Sequence, residues 1–363
     1  MKAAVFREIG KPMQIEEVAV AEPGPREVLV RVKAVGLCHS DLHVIDGHLP
    51  AALPIVLGHE AAGIVERVGS AVTNVKPGDH VIANLVFHCG HCQHCLSGHP
   101  NRCMPPEARR GAGEAPRLTA NGQPLEQFCG TGSFAEYMLV HDSGCVAIRH
   151  DMPFDCACLI SCGVTTGFGA ATRTANVHPG ETVVVIGCGG VGLAAVNGAA
   201  VAGARRVIAV DRIPMKLEMA KKFGATDIID ASSCDPVEAV MALTENWGVD
   251  HAIEAIGLPQ TAQQAYRMLA RGGTATIAGV ISPGVNIEVP GITLTIGERA
   301  IQGSYMGSVR PPIDIPRYVE LYMQGKLKVE ELISQRNPLS RINEAFEELA
   351  RGSVARSVIV FDD

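Results

Sequence analysis

Residues 182–192 read TVVVIGCGGVG: a compact apolar run, Thr182–Ile186, leads directly into a glycine-rich sequence, Gly187–Gly192. The glycines fit the pattern G-x-G-x-x-G, and a helical stretch opens behind them. A second apolar run, Val207–Val210, follows and ends at Asp211. A strand, a tight glycine turn, a helix and a second strand in this order predict a βαβ unit of a parallel sheet.

The glycine sequence predicts a site for the pyrophosphate of a dinucleotide. Glycines let the backbone turn sharply and approach the phosphates, which bind at the helix N-terminus where free N–H groups point toward them. The Asp211 carboxylate can accept hydrogen bonds from a ribose diol and would repel a 2′-phosphate. We therefore expect NAD rather than NADP, although the neighbouring Arg212 weakens this preference. A glycine turn that serves only helix–strand packing is the alternative. The predicted cofactor contacts here are Gly187, Gly189, Gly190, Val191, Gly192, Asp211 and Arg212.

The same alternation of apolar runs and helical stretches continues to about residue 303. Regular alternation of this kind is typical of a parallel sheet that helices cover on both faces. We therefore predict an α/β fold with a doubly wound parallel sheet at about 164–303. Its later strands are predicted at 227–229, 252–256 and 274–280, and its later helices at 214–223, 236–246 and 261–270.

The residues on either side of this sheet have a different character. Residues 1–80 contain short β-rich runs broken by Pro and Gly, which predict a small, irregular barrel. The polar residues 104–127, rich in Gly, Pro and Arg, are expected to form a long surface loop. Helices near 315–323 and 342–351 and a strand at 357–361 follow the sheet, and we assign both of its flanks to one domain.

Four cysteines lie close together in the barrel part of the chain, at Cys89, Cys92, Cys95 and Cys103. Their spacing, C-x2-C-x2-C-x7-C, lets one loop bring four sulfurs to one centre and predicts a closed, structural zinc site. The alternatives are chance clustering and an iron–sulfur cluster, but the ferredoxin pattern requires C-x2-C-x2-C-x3-C-P. One neighbouring histidine could compete as a ligand. Because four sulfurs already fill the zinc shell, we expect all four of these histidines to be exposed: His88, His91, His94 and His99.

The composition excludes several classes of function. The 363 residues include 38 acidic and 31 basic side chains, a net charge of −7, without a basic run that would attract nucleic acid or an anionic membrane. The sequence has no apolar segment directly after Met1 and no run near 18 apolar residues, so we expect neither export nor a membrane span, and a cytoplasmic location. Twelve cysteines in such a chain indicate metal and thiol chemistry rather than disulfides.

Coordinating side chains also occur at three dispersed places, Cys38–His43, Gly58–Glu60 and Cys162. Spacing alone does not join them, and a single histidine or cysteine is more often a packed core residue than a ligand. Together with Ser161–Gly167, the four-cysteine loop and the glycine sequence, they occur in one order along the chain. In that order the sequence resembles the zinc-containing alcohol dehydrogenases of the medium-chain dehydrogenase/reductase superfamily, over essentially its whole length.

This resemblance implies two domains with a cleft between them. A GroES-like β-barrel catalytic domain would comprise 1–163 and 304–363, with the structural zinc lobe at about 88–104. A Rossmann NAD-binding domain would comprise 164–303. The long segment after Cys103 implies, within this family, a homodimer formed through the Rossmann sheet edge near 299–306.

The resemblance also implies a second, catalytic zinc ion, so that each chain would bind two. Its ligands would be Cys38, His59 and Cys162, with an open fourth position for water or substrate. Glu60 matches an acid that can approach the metal, and Asp41 matches a carboxylate that orients His59.

Further residues take their expected roles from the same resemblance. Ser40 and His43 would carry the proton of the alcohol toward the surface. His39 would contact the cofactor pyrophosphate and bind it less tightly as the imidazole loses its proton. The remaining expected cofactor contacts are Thr166, Lys216 and Arg356, with Ile256 and Val280 lining the nicotinamide site; for the last two, core packing is an equal alternative.

The predicted reaction is the reversible oxidation of a primary or small secondary alcohol, allylic and benzylic ones included, to an aldehyde or ketone with hydride transfer to NAD. An alternative is a thiol-adduct dehydrogenase of the formaldehyde type in the same superfamily. Those relatives carry an acidic pair in a loop that here reads GHLPAA, at Gly47–Ala52, without any acid. Two rival classes of protein are a zinc-free reductase of enones or quinones and a non-enzymatic protein that senses zinc and NAD.

Overall fold

The computed structural model describes residues 1–111, 113–352 and 355–361. The chain divides into two compact units. The first comprises Met1–Cys162, Arg310–Gln324 and Val329–Asp363, and the second Gly163–Val309 and Gly325–Lys328. The chain leaves the second unit after Val309, later than the predicted boundary at 303/304. The physical reason is the close packing of Gly307 against Gly169, where a Cβ on Gly307 would lie 2.7 Å from the Gly169 Cα.

The regular elements of residues 1–162 are mainly short strands, as the β-rich runs between Pro and Gly predict. The longest strand, β4, pairs with three others, which places it at the centre of the first unit. The strands of this part are β1 Lys2–Phe6, β2 Gln14–Glu17, β3 Ala19–Val20, β4 Glu27–Gly36, β5 Ile55–Val56, β6 Glu60–Val68, β7 His80–Ala83, β8 Leu118–Ala120, β9 Gln123–Gln127, β10 Tyr137–His141 and β11 Cys145–Ile148. Its helices are α1 His39–Ile45, α2 Gln93–Leu96 and α3 Phe154–Leu159.

The second unit is built on a parallel sheet with the order β14-β13-β12-β15-β16-β17. Every residue of the central strand β12 is buried, as expected for a strand that is covered on both faces. The strands are β12 Thr182–Ile186, β13 Arg206–Asp211, β14 Asp227–Asp230, β15 Val249–Glu254, β16 Leu269–Ile277 and β17 Ala300–Gly303. The helices are α4 Thr165–Gly169, α5 Gly190–Val201, α6 Pro214–Phe223, α7 Pro236–Leu243, α8 Pro259–Arg267 and α9 Gly291–Thr295.

After Val309 the chain returns to the first unit, apart from Gly325–Lys328. Its last elements are α10 Pro311–Met323, β18 Ile333–Asn337, α11 Ile342–Ala350 and β19 Arg356–Val360. Strand β19 pairs with β4 and extends the order β11-β7-β6-β4-β19-β18, while β10 pairs with β4 off this path. The core of this unit includes Phe6, Leu37, Phe134 and Phe346.

The structure corrects three predictions about elements. Residues 118–127 were expected in a surface loop, but β8 and β9 form an antiparallel hairpin whose Leu118 is buried in the first unit. Strand β15 ends at Glu254, before the predicted end at 256, because the Glu254 carboxylate accepts the backbone N–H groups of Ile256 and Gly257 and turns the chain. Strand β16 likewise ends at Ile277, ahead of Val280.

One continuous helical stretch, Phe154–Thr174, is long and apolar enough to span a membrane. It is 89% buried inside the protein, as is usual for a core helix. Among the described residues, it is the single stretch of this kind.

Candidate functional site

The end of β4 and the start of α1 place Cys38 in the interior of the first unit. Gly36, the last residue of β4, has no room for a Cβ, which would lie 2.7 Å from the Leu159 side chain. Cys38 keeps an extended backbone and precedes the first turn of α1, so its buried sulfur lies at the N-terminal end of that helix. A hydrogen bond of 3.7 Å from the Cys38 thiol to the Ser40 hydroxyl brings the first two predicted site residues together.

His59 is held by the residues around it. It is 1% exposed, and its Nδ1 atom lies 3.2 Å from Asp41 Oδ2, without the alignment of a hydrogen bond. The other Asp41 oxygen accepts the backbone N–H of Gly58 at 2.8 Å. Because Asp41 faces Nδ1, the imidazole has Nε2 available for a metal ion.

Cys162 reaches the same place from α3 and the helical turn that follows it. The neighbouring Ser161 hydroxyl donates to the backbone oxygen of His59 at 3.1 Å. Asn84 Nδ2 donates to the backbone oxygen of Ser161 at 2.7 Å. These two bonds fix the backbone beside Cys162. The segment that carries Cys162 is therefore tied to the segment that carries His59, although they are far apart in sequence.

The four groups predicted at the catalytic zinc form one buried cluster. Donor atoms of Cys38, His59, Glu60 and Cys162 all lie within 4.8 Å of one another. Zinc bonds of about 2.3 Å to sulfur and about 2.0 Å to nitrogen put neighbouring donors about 3.5–3.8 Å apart, so this cluster closes on one ion with small shifts. Two sulfurs and one imidazole are also the donor set of a catalytic zinc site. The residues therefore fit a zinc ion.

Electrostatics in this cluster favour a bound cation. A hydrogen bond from Cys162 holds the pKa of the Cys38 thiol well below its ordinary value. The same bond, with burial, holds the pKa of Cys162 well above it. Burial raises the pKa of Glu60 to about 8, although the charge of Arg356 opposes the shift. Buried anionic groups this close to one another are stabilised when a metal ion joins them.

Arg356 lies beside this cluster rather than on the surface. The side chain is 5% exposed, and Nη1 lies 3.2 Å from Glu60 Oε1 and donates to the Leu37 backbone oxygen at 2.8 Å. The predicted contact of Arg356 with the cofactor stays a prediction. The sequence contained no signal for the pair with Glu60, since the two residues lie on β19 and β6.

The two predicted proton carriers lie on one side of α1. Ser40 and His43 are three residues apart, a spacing that puts side chains on one face of a helix, and both are half-buried. His39, on the first turn of the same helix, is exposed. These positions agree with the predicted roles but do not test them.

The four-cysteine loop brings its sulfurs together as the spacing predicts. The sulfur separations are 3.6 Å for Cys92–Cys95, 3.7 Å for Cys103–Cys89 and 4.0 Å for Cys89–Cys95. Four thiolates around one zinc ion lie about 3.8 Å apart, so the loop fits zinc closely. Of the neighbouring histidines, His91 and His94 are exposed, whereas His88 and His99 are half-buried. His91 also lies with Glu107 beside Cys89.

In the second unit, the glycine sequence takes the predicted conformation between β12 and α5. Gly187 has a φ of +94°, and Gly189 precedes the first turn of α5. Gly192 has no room for a Cβ because its backbone packs directly on Gly187. Asp211 Oδ2 accepts the Cys188 N–H at 2.7 Å, and Oδ1 accepts the N–H groups of Arg212 and Ile213. Asp211 therefore stands beside the glycine turn with a fixed carboxylate.

The remaining predicted cofactor residues also lie in the second unit. Ile256 is 47% exposed and Val280 is 68% exposed, so core packing, the alternative weighed for both, does not explain them. Lys216 is half-buried in the first turn of α6, and the Thr166 hydroxyl contacts Met306 Sδ at 3.5 Å. Sequence reasoning missed Glu254, whose carboxylate shapes the loop that carries Ile256. An acid at the carboxyl end of a parallel strand was the available signal.

Comparison with known proteins assigns both units to known families. The protein-family model described as Alcohol dehydrogenase GroES-like domain matches residues 24–150. The family model described as Zinc-binding dehydrogenase matches residues 190–324. A probable S-(hydroxymethyl)glutathione dehydrogenase 1 from Schizosaccharomyces pombe is 42% identical over 99% of this chain and 96% of its own. An alcohol dehydrogenase class-3 from Drosophila melanogaster is 41% identical over 99% of this chain and 97% of its own.

Solved structures agree with this assignment. A benzyl alcohol dehydrogenase from Acinetobacter calcoaceticus has a TM-score of 0.93 and 33% identity, covering 99% of each chain. An alcohol dehydrogenase zinc-binding domain protein from Burkholderia ambifaria has a TM-score of 0.95 and 36% identity, covering 100% of this chain and 99% of its own. The predicted combination of a GroES-like barrel with a Rossmann sheet is confirmed. The chain belongs to the zinc-containing alcohol dehydrogenases of the medium-chain dehydrogenase/reductase superfamily, and it is an oxidoreductase whose cofactors are zinc and NAD.

Proposed function

We propose that this chain catalyses the reversible oxidation of a primary alcohol at the cluster of Cys38, His59 and Cys162, with transfer of hydride to NAD. The buried assembly of two thiols, an imidazole and a carboxylate within 4.8 Å is the observation that supports this proposal. With Cys38, His59 and Cys162 as its ligands, a tetrahedral zinc ion would have one position left for the oxygen of the substrate.

Zinc at this cluster, when bound, supplies a Lewis acid that lowers the pKa of the substrate hydroxyl, and NAD supplies the hydride acceptor. The protein contributes orientation and proton transfer. Asp41 fixes the ring of His59 through the contact at Nδ1, and Arg356 balances the charge of Glu60. The Ser40 hydroxyl, next to Cys38, takes the proton of the alcohol and passes it toward His43.

The first candidate substrate is a thiol adduct of formaldehyde. The names of two curated relatives, from Schizosaccharomyces pombe and from Escherichia coli O1:K1 / APEC, support it, because both are S-(hydroxymethyl)glutathione dehydrogenases. Such an adduct carries a CH₂OH group on sulfur and is therefore a primary alcohol in its reacting part. These relatives favour this candidate over the simple alcohols that the sequence predicts as the main substrate.

A benzylic alcohol is the second candidate, and two observations favour it. The loop Gly47–Ala52 has no acidic side chain to bind the charged groups of a glutathione adduct. The similar Acinetobacter calcoaceticus structure is that of a benzyl alcohol dehydrogenase. A loop without acidic side chains suits an apolar substrate better than a charged peptide.

Initial rates of NADH formation separate the two candidates. The substrates are benzyl alcohol, ethanol, and formaldehyde with and without glutathione, each with the wild-type protein and with Cys162→Ser as control. A dependence on glutathione supports the thiol adduct, whereas a higher kcat/KM for benzyl alcohol supports the second candidate. Turnover that Cys162→Ser retains in full would rule out the proposed site.

We also propose that the chain forms a homodimer through the edge of its parallel sheet. Strand β17 is the edge strand, and exposed apolar side chains surround it in sequence. An unpaired strand edge with an apolar surface favours pairing with a second copy. The exposed apolar residues are Val285, Ile292, Leu294, Ile296 and Tyr305.

A further inference from the structure

We propose that His48 is the outer end of the proton path, a second imidazole that takes the proton from His43 and releases it to bulk water. This inference rests on the proposed function and extends it by one residue. No acidic or basic role for His48 follows from the sequence pattern, since it lies in the loop after α1. The contact of its ring with that of His43 suggests the role.

The end of α1 explains why the two rings meet. The helix gives way to a turn in which Gly47 adopts a φ of +74°, a conformation that favours glycine. The backbone N–H of Gly47 bonds to the Val44 oxygen at 3.1 Å, and that of Leu49 to the His43 oxygen at 2.9 Å. This second bond folds the chain back over the last turn of the helix. As a result, the centroids of the His48 and His43 rings lie 6.0 Å apart, and the two ring planes are inclined at 60° to each other.

Exposure increases along this line of side chains. Cys38 is buried, Ser40 and His43 are half-buried, and His48 is exposed. One bridging water, or a rotation of the exposed His48 side chain, connects rings at this separation. A proton that leaves the buried cluster by Ser40 and His43 therefore meets side chains of increasing exposure, and His48 is the most exposed of them.

The chemistry balances without another reactant. Oxidation of the CH₂OH group gives a carbonyl product (an aldehyde from a simple alcohol, a formyl thioester from the thiol adduct), NADH and one proton, which is the species that must leave. The His43 imidazolium donates an N–H proton to a ring nitrogen of His48, and the other His48 nitrogen releases a proton to water. No electrons are transferred in this step.

The test compares proton release with hydride transfer in one turnover. Stopped-flow mixing follows NADH absorbance and a pH-indicator dye together, in weak buffer, for the wild type, His48→Gln and the control His178→Gln. His178 is an exposed histidine of the second unit that the proposed mechanism does not use. Loss of a general base costs about 10²–10⁴-fold, and because water can still reach His43 we expect a smaller loss, about tenfold, in the rate of proton release.

Two further measurements make the result specific. Added imidazole should restore proton release in His48→Gln, and the double variant with His43→Gln should be no slower than His43→Gln alone, as expected for two steps in series. Zinc content and KM for NAD should stay at wild-type values. Proton release in His48→Gln that keeps pace with the wild type, or a defect that imidazole does not restore, would overturn the inference while the proposed function stands. A wild type without alcohol-dependent NADH formation would overturn both.

Discussion

Asp41 shows how one carboxylate organises the site at the scale of a residue. One oxygen accepts the Gly58 N–H, which fixes the backbone just before His59, and the other faces the His59 ring. Both contacts bear on the same predicted ligand, so Asp41 positions His59 from two sides. Because the carboxylate is fully buried, water cannot replace either contact.

We therefore expect Asp41→Asn to weaken zinc binding at the buried cluster by about 10–100-fold, the usual cost of losing a partner behind a metal ligand. Competition with a chromogenic chelator measures this change, because the zinc that the weakened cluster loses to the chelator can be counted per chain. The control is Asp46→Asn, which removes an exposed acid at the end of the same helix. Equal zinc release by the wild type and Asp41→Asn would contradict this role.

Asp211 has a comparable role in the choice of cofactor. Three backbone N–H groups hold its carboxylate beside the glycine turn, so its charge faces any phosphate bound near the ribose. In Asp211→Asn the repulsion of a 2′-phosphate is removed while most of the hydrogen-bonding capacity remains.

We expect Asp211→Asn to raise the ratio of kcat/KM for NADP to that for NAD by at least about tenfold, because removing a like-charge contact is worth more than about 1.4 kcal/mol. Initial rates with both cofactors test this, with the exposed Glu238→Gln as control. An unchanged ratio would show that Asp211 does not select the cofactor.

At the scale of an element, Glu27 at the start of β4 anchors the segment after the zinc loop. Arg117 donates to Glu27 Oε1 at 2.7 Å and Arg110 to Oε2 at 2.5 Å, while the Gly24 N–H bonds to the same carboxylate. Burial opposes the charge of Glu27, but these hydrogen bonds outweigh burial and lower its pKa to about 2. Arg110 and Arg117 are therefore both tied to the start of β4 through one buried acid.

This lowered pKa predicts a stability that depends on pH. A carboxyl whose pKa falls from 4.5 to about 2 on folding contributes about 3 kcal/mol above pH 4.5, and this contribution is lost as the pH falls toward 2. Glu27→Gln should lower the free energy of unfolding by that order at pH 7 and by much less near pH 2. Denaturant titrations at both pH values measure the difference, with the surface pair variant Glu22→Gln as control. A deficit that is the same at both pH values would exclude the charge of Glu27 as its cause.

The elements also show where sequence patterns suffice. A strong apolar run predicted β12, and a helical stretch predicted α6, both with the bounds that the structure has. The hairpin of β8 and β9 was missed because its strands are short and polar. Its turn carried a usable signal, since Asn121 and Gly122 both have positive φ, as Asn-Gly does in a two-residue hairpin loop.

At the scale of the whole molecule, the buried metal cluster could not be derived from spacing. Cys38, His59 and Cys162 lie on separate elements, and only the resemblance to a family joined them before the structure was known. The pair of Glu60 with Arg356 is a contact between strands far apart in sequence, and no local pattern encodes it. By contrast, the four-cysteine loop is local, so its spacing alone predicted its geometry.

The proposed dimer is a prediction for the assembled molecule. Light scattering should give twice the chain mass of 38.3 kDa for the wild type and the single-chain mass for the double variant Ile292→Asp, Ile296→Asp. Charges at these positions would be buried at an interface and are costly there. As a control, Trp247→Asp changes an exposed apolar side chain on the turn before β15. A double variant that keeps the wild-type mass would place the interface elsewhere.

The most direct test of the central claim is zinc per chain, measured by plasma mass spectrometry on the wild type, Cys162→Ser and Cys95→Ser, alongside alcohol-dependent NADH formation. We expect two zinc ions in the wild type, one for each cluster, and one in each variant, with turnover abolished in folded Cys162→Ser. A Cys162→Ser protein that keeps both zinc ions and its turnover would contradict the claim that Cys38, His59 and Cys162 hold the catalytic metal.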